Sequence, residues 1–343
     1  MIKYTAKSFV SQSLIPALTA AVITGFFNYL VIENSGESYL AGAAIGLLIY
    51  TTLTIYNQVF HYKIFRNIPV YLDVLVSTAI MILTIMFWVS AVLGAFYAKE
   101  VGGLWNYLGL LYNSAGMAMG ISYGIAFSFV VNFLLSVKEI IGSGNMASLF
   151  FGTYSRPREE ERIFMFLDLK SSTAMAEKLG NKAFLNLLND FFFAASEGIS
   201  KTKGTIYKYV GDEVIVTWPL DKGIKNAQAI ECFFLIDRGI KKRKPEFEQK
   251  YGVVPDFKAG MHCGTVISGE LGFTKKEITY MGDVLNTTAR IEAECNALQE
   301  RFLISGELQS RLPENTHFRF EDQGEFALRG KQSKLRIFSV KPT

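Results

Sequence analysis

The chain has 343 residues, room for two domains of ordinary size, with 35 Lys and Arg against 31 Asp and Glu for a net charge of +4. So small a charge, with no long basic run, argues against a nucleic-acid partner. Hydrophobic residues make up 50% of the chain, and that average hides a sharp asymmetry. Up to Val137 the only charged residues are Lys3, Lys7, Glu33, Glu37, Lys63, Arg66, Asp73, Lys99 and Glu100. The first part is membrane-like and the rest soluble-like. Cys232, Cys263 and Cys295 all fall in the soluble part with no CxxC pair, which fits free thiols in a reducing compartment.

A membrane helix needs about 20 predominantly apolar residues. Four segments supply them: Phe9–Ile32, Tyr39–Phe60, Tyr71–Ala98, and a span from near Ser114 to Val137. The first is too long for a signal-peptide core and lacks a convincing cleavage site, so it reads as a retained helix. Residues 103–113 fit either an interfacial helix or the outer turns of span four. Basic residues cluster on one side: Lys3 and Lys7 before span one, His61, Lys63 and Arg66 between spans two and three, Lys138 after span four. That bias predicts a multi-pass protein of the cell membrane, in contact with the lipid bilayer, with its N-terminus and soluble part in the cytoplasm. Gly42 and Gly46, then Gly116, Gly120 and Gly124, are spaced by four and allow close helix packing. Packing within one four-helix bundle is preferred here to a dimer contact. Val130, Leu134, Val137 and Ile141 continue a short seam that could lead into a parallel coiled coil. Gly142–Gly144 interrupts it, and Arg156–Arg162 reads as a polar linker. The predicted division is a membrane domain over 1–137, a helical stalk and linker over 138–160, and a soluble domain over 161–343.

In the soluble part, residues 162–168 read as a strand and 172–200 as a long helix. A hairpin of 205–210 and 214–218 turns at Gly211-Asp212, and a helix covers about 223–250. Strands follow near 257–263, 265–271 and 277–281, then a helix over 283–298 and strands near 301–304, 316–321 and 334–340. The predicted fold is α+β, a βαββαβ core of ferredoxin-like type with appended strands, beside an α-helical membrane domain.

Asp168 ends a strand that looks buried on both faces, "IFMFLDL", and a buried charge is costly unless something pairs with it. Asp212 sits at the tip of a hairpin of β-formers. Each alone reads as structural about as readily as functional. Two carboxylates converging at a sheet edge, however, are a minimal site for two divalent ions, and magnesium suits a few carboxylates plus substrate phosphates. Leu169–Thr173 opens the following helix, whose free N–H groups would face a phosphate beside Asp168. Ser172 or Thr173 also suits the helix N-cap.

Three motifs, "FLDLKSSTAMAEKLG", "YKYVGDEVIVTW" and "GDVLNTTARIEAEC", occur in this order. Together they resemble the catalytic domain of class III adenylyl cyclases over about residues 160–340. The resemblance implies cyclisation of ATP to 3′,5′-cyclic AMP and pyrophosphate, with two Mg2+ or Mn2+ ions per active site. It implies that Asp168 and Asp212 bind the metals, and that Asn286 and Arg290 orient the ribose and meet the charge on the transferring phosphorus. It further implies that Lys208 reads the adenine and that Arg329 contacts the terminal phosphates, with Lys331 close to it; Ser172 and Thr173 are read as substrate-binding from their place at the helix start. The second base-reading position is usually aspartate. Here it is Thr279, as in the subgroup called class IIIb. Metal-binding and base-reading sets come from different domains in this family, so a single domain carrying both implies a homodimer through the cyclase domain. The rivals are a guanylate cyclase, against which Lys208 argues, and a non-enzymatic membrane receptor, which would have lost metal or Asn/Arg residues. His262 and Cys263 are lone strand residues that read as packing rather than metal ligands.

Overall fold

The computed structural model describes residues 36–56, 69–113, 152–274, 276–314, 316–326 and 334–343, with scattered positions between 18 and 26 and between 122 and 133. The chain divides into two compact units, Met1–Ile141 and Gly142–Thr343.

In the first unit, helix α1 spans Gly36–Tyr56, α2 Val70–Tyr97 and α3 Leu104–Asn113. These α1 and α2 ranges match the second and third predicted spans. Ser38, Ala41, Gly42, Ile45 and Gly46 form the buried stripe of α1, at the spacing of one helix face. Gly42 and Gly46 thus serve packing inside this unit. Trp88 Nε1 donates to Thr52 Oγ1 at 3.0 Å and ties α2 to α1. Among the described residues one helix, Tyr71–Tyr97, is long and apolar enough to cross a membrane. After α2 the chain reverses at Gly102 and Gly103, both with positive φ. Helix α3 then packs back along α2: Tyr112 OH lies 2.6 Å from Ser90 Oγ, and Leu104 and Tyr107 fill the space above Gly94. Residues 104–113 therefore lie against α2. Most of the first and fourth predicted spans, Gly116, Gly120 and Gly124, and the seam positions Leu134, Val137 and Ile141 lie outside the described residues.

The second unit is an eight-stranded sheet with covering helices. Its strands are β1 Arg158–Leu169, β2 Thr205–Val210, β3 Glu213–Pro219, β4 Phe257–Leu271, β5 Glu277–Met281, β6 Phe302–Ser305, β7 Phe318–Phe326 and β8 Leu335–Pro342. They lie in the order β2-β3-β1-β4-β6-β8-β7, with β5 on β4. The first four strands form the predicted βαββαβ core. The sheet is mixed, because β4 and β6 pair in parallel while the other pairs are antiparallel. The helices are α4 Ser172–Leu179, α5 Asn181–Lys201, α6 Leu220–Ile224, α7 Gln228–Lys242, α8 Lys244–Tyr251, α9 Asp283–Ala297 and α10 Gly306–Arg311.

Four boundaries differ from the sequence reading, each for a local reason. The helix over 172–200 is two helices, broken at Gly180 with φ +76°. The helix over 223–250 is interrupted by left-handed Asn226 and Ala227 and again at Arg243. The two strands split at Gly264 are one strand, β4. That glycine makes no turn. It makes room for Val284, whose Cγ2 would lie 2.8 Å from an added Cβ. Strand β1 begins at Arg158, inside the stretch read as linker, because Arg158–Arg162 pairs with Ser268–Gly264 of β4.

The run from Ile163 to Leu167 is buried because both sheet faces are covered. Ile163, Met165, Leu167 and Leu169 face one cluster with α5 and α7, whereas Phe164 and Phe166 face another with Tyr154, Ile215, Tyr280 and Val284. Asp168 shares the second parity. Gly260, opposite Phe166, lets α9 approach this face: an added Cβ would lie 2.3 Å from Glu292 N and 2.6 Å from its Cα. Gly260→Ala is expected to push α9 off the sheet and cost about 2–3 kcal/mol. A lowered thermal midpoint measures this; an unchanged one would mean that the helix yields without cost.

Candidate active site

Asp168 lies at the end of β1 with Glu213 opposite on β3 and Lys258 opposite on β4. Asp212 precedes Glu213 in a two-residue turn, Gly211-Asp212, where Gly211 takes φ +63°. Strand register alone therefore brings Asp168 and Asp212 to one sheet edge. Lys258 Nζ lies 3.4 Å from Asp168 Oδ2 and 2.7 Å from Glu292 Oε1 on α9. The buried cation is thus held between two carboxylates.

The electrostatics are those of crowded anions. Burial first, and then the charges of Asp212 and Glu292, push the Asp168 carboxyl up to about 6 against the opposing Lys258. Burial also raises Glu213, to about 7, with Glu292, Asp168 and Asp212 adding to the effect. A carboxyl with a raised folded-state value favours its neutral form in the fold. Its penalty is therefore absent at low pH and sets in as pH rises from the ordinary 4.5 through about 7. Glu213→Gln removes that penalty. In the presence of a chelator it is expected to raise the thermal midpoint at pH 8 and to leave it unchanged at pH 4. Equal effects at both pH values would contradict this account.

Beside Asp168 opens a cavity of about 500 Å³, lined among others by Lys170, Ser171, Ser172, Thr173 and Lys258. Its size suits a small ligand. The N-cap of α4 is Ser171, not Ser172 or Thr173; it is left-handed at φ 57° and makes no side-chain cap bond. Ser172 and Thr173 open the helix and line the cavity with Asp168. Asp168 at this cavity, with Asp212 beside it by strand register, makes a carboxylate pair of the kind that suits divalent ions whose other ligands are phosphate oxygens. Among the described residues no group of three or more His, Cys, Asp or Glu forms an all-protein metal cage.

A second group forms where β2 meets β5. Lys208 Nζ lies 3.2 Å from Glu277 Oε2, and Tyr207 OH lies 3.3 Å from Thr279 Oγ1. The structure thus brings Lys208 and Thr279 together. Asn286 is exposed on α9, and Arg290 one turn later is half-buried. Arg290 Nη1 is buried and has no hydrogen-bond partner among the described residues. Arg329 and Lys331 lie outside the described residues. His262 Nδ1 lies 2.7 Å from Ser305 Oγ, and Cys263 is buried in the core. Both therefore pack, as their isolation in the sequence suggested.

The match to the family described as the adenylate and guanylate cyclase catalytic domain covers residues 155–341, more than half of the 343. The chain belongs to this family. It is 38% identical over 218 residues to "Adenylate cyclase 2" of Rhizobium meliloti (strain 1021), covering 64% of this chain and 60% of that protein. It is 28% identical over 184 residues to "Adenylate cyclase" of Anabaena cylindrica, covering 52% of this chain and 36% of that protein. The chain therefore spans less than two thirds of either relative's length. A solved bacterial light-regulated adenylyl cyclase shares the fold, with a TM-score of 0.56 and 19% identity over 67% of each chain.

The sequence reading missed Lys258, Glu292, Glu213, Tyr207 and Glu277. Lys258 carried a usable signal, a lone charge in the apolar strand "FKAGMHCG", the same signal that singled out Asp168.

Proposed function

We propose that the chain is a membrane-anchored adenylate cyclase that converts ATP to 3′,5′-cyclic AMP and pyrophosphate in a homodimer with shared active sites. The observation that carries this is that strand register sets Asp212 beside Asp168, which itself lines the cavity at the first turn of α4. Two Mg2+ or Mn2+ ions held by these aspartates would lower the pKa of the ribose 3′-hydroxyl and steady the triphosphate. Ser172, Thr173 and the N–H groups of α4 receive phosphate oxygens, and Arg329 meets the terminal phosphates. Lys208 donates to N1 of adenine, and Thr279 stands beside it. The 3′-oxygen attacks the α-phosphorus and pyrophosphate leaves, while Asn286 and Arg290 meet the charge that develops there. The unpartnered Arg290 Nη1 suits a group whose acceptor arrives with substrate.

The membrane part is proposed to cross the bilayer four times, with α1 and α2 as spans two and three. The bias of basic residues puts the N-terminus and the cyclase domain in the cytoplasm. Lys208, and the names of the two relatives, favour ATP over GTP. The metal and Asn/Arg residues are all present, which disfavours a non-enzymatic receptor. The test is nucleotide conversion by the purified full-length protein, ATP against GTP, with magnesium and with manganese. Formation of cyclic AMP from ATP is expected; conversion of GTP alone would make it a guanylate cyclase.

A further inference from the structure

We infer that Glu277 reads the 6-amino group of the purine, beside Lys208, in the role that the sequence pattern places at Thr279. The inference rests on the adenine reading proposed above.

Strand β5 turns Ile278 and Tyr280 into the core and leaves Glu277 and Thr279 together on its other, half-buried face. On that face the two side chains have different partners. Thr279 Oγ1 faces the hydroxyl of Tyr207 at 3.3 Å. Tyr207 is itself held by Tyr280, ring edge to ring face at 5.0 Å, with Lys208 Nζ 5.5 Å from its centroid. The Thr279 hydroxyl therefore already faces a protein group. Glu277 instead pairs with Lys208 itself, at 3.2 Å.

An ion pair this exposed, 44% and 39% at the two side chains, adds little to stability. Its chemistry is informative instead. The Watson–Crick edge of adenine places an acceptor, N1, beside a donor, the 6-amino group. An ammonium and a carboxylate in contact offer the complementary donor and acceptor. With Lys208 at N1, the neighbouring acceptor falls at the 6-amino group. A carboxylate has about four acceptor positions and can hold an ammonium and a ligand N–H together. A hydroxyl at Thr279 can donate as well as accept, so it discriminates less between an amino and a carbonyl group. Glu277 thus restores, two residues earlier on the same strand face, the carboxylate that the pattern lacks at Thr279.

The test removes one partner from each side of the contact. Initial rates are measured on the full-length protein with ATP, with GTP, and with purine riboside triphosphate, which lacks the 6-amino group. The variants are Glu277→Ala, Glu277→Gln and Thr279→Ala, each checked for an unchanged thermal midpoint. Glu277→Ala is expected to lower kcat/KM for ATP on the order of tenfold and to leave the purine riboside triphosphate within about twofold. Glu277→Gln, whose amide oxygen still accepts, should lose less. Equal losses on ATP and on the analogue would mean that Glu277 only holds Lys208, and would overturn the inference. So would an amino-selective loss in Thr279→Ala in place of Glu277→Ala. A wild type that uses ATP and GTP equally would remove the adenine reading and this inference with it. ATP preference with equal losses removes the inference alone.

Discussion

Asp168→Ala and Asp212→Ala are each expected to reduce cyclic AMP formation about a hundredfold or more while the catalytic domain stays folded. The size follows from what remains. With either aspartate gone, a single carboxylate is left to hold divalent ions beside the triphosphate. The survival of the fold follows from the surroundings. Lys258 keeps Glu292 at 2.7 Å after Asp168 is removed, so no buried charge is stranded. Asp168 is a crowded group, pushed up to about 6 by burial and by Asp212 and Glu292. Its loss relieves repulsion in the metal-free protein and should not lower the thermal midpoint measured with a chelator at neutral pH. Two readings are needed together, cyclic AMP by initial rate and the midpoint by thermal melting. Near wild-type turnover in either variant would remove the metal role. Loss of activity accompanied by unfolding would move both residues into the structural class.

The fold was legible where the pattern of apolar residues was local and strong. The run Ile163–Leu167 announced a strand covered on both faces, and the two clusters on its opposite faces are the reason. The hairpin at Gly211-Asp212 was legible because turn chemistry is local. The break at Asn226 and Ala227 was not, since these left-handed residues carry no sequence signal of the kind that Gly180 gives at the other break. Gly264 misled in the other direction: its lack of a side chain serves the approach of Val284, a contact between residues twenty apart. The site divides along the same line. Asp168 and Asp212 stood out as charges at the ends of β-forming runs. Glu292 and Glu277 did not, because on a helix and on a half-exposed strand a glutamate reads as solvated. Only register and the close approach at Gly260 place Glu292 against Lys258, and only side-chain contact between β2 and β5 places Glu277 against Lys208.

Mixing two inactive variants is expected to restore activity. Asp168→Ala lacks a metal-binding residue, and Asn286→Ala lacks a residue that meets the ribose and phosphorus. Each alone should be inactive, since both sites of a homodimer carry the same lesion. In the proposed dimer each site takes its aspartates from one chain and its Asn286 and Arg290 from the other, by two-fold symmetry. A mixed dimer then holds one site with both lesions and one with neither. Random exchange makes about half of the dimers mixed, so roughly a quarter of wild-type activity should return. Sites contained within one chain would return none, because every chain carries a lesion. Lys258 and Glu292 gather around Asp168, whereas Arg290 Nη1 is buried with no partner among the described residues. Differently tagged chains, co-purified through one tag, establish that exchange has occurred. Activity that stays absent after exchange is shown would rule out the shared site and leave each chain to act alone.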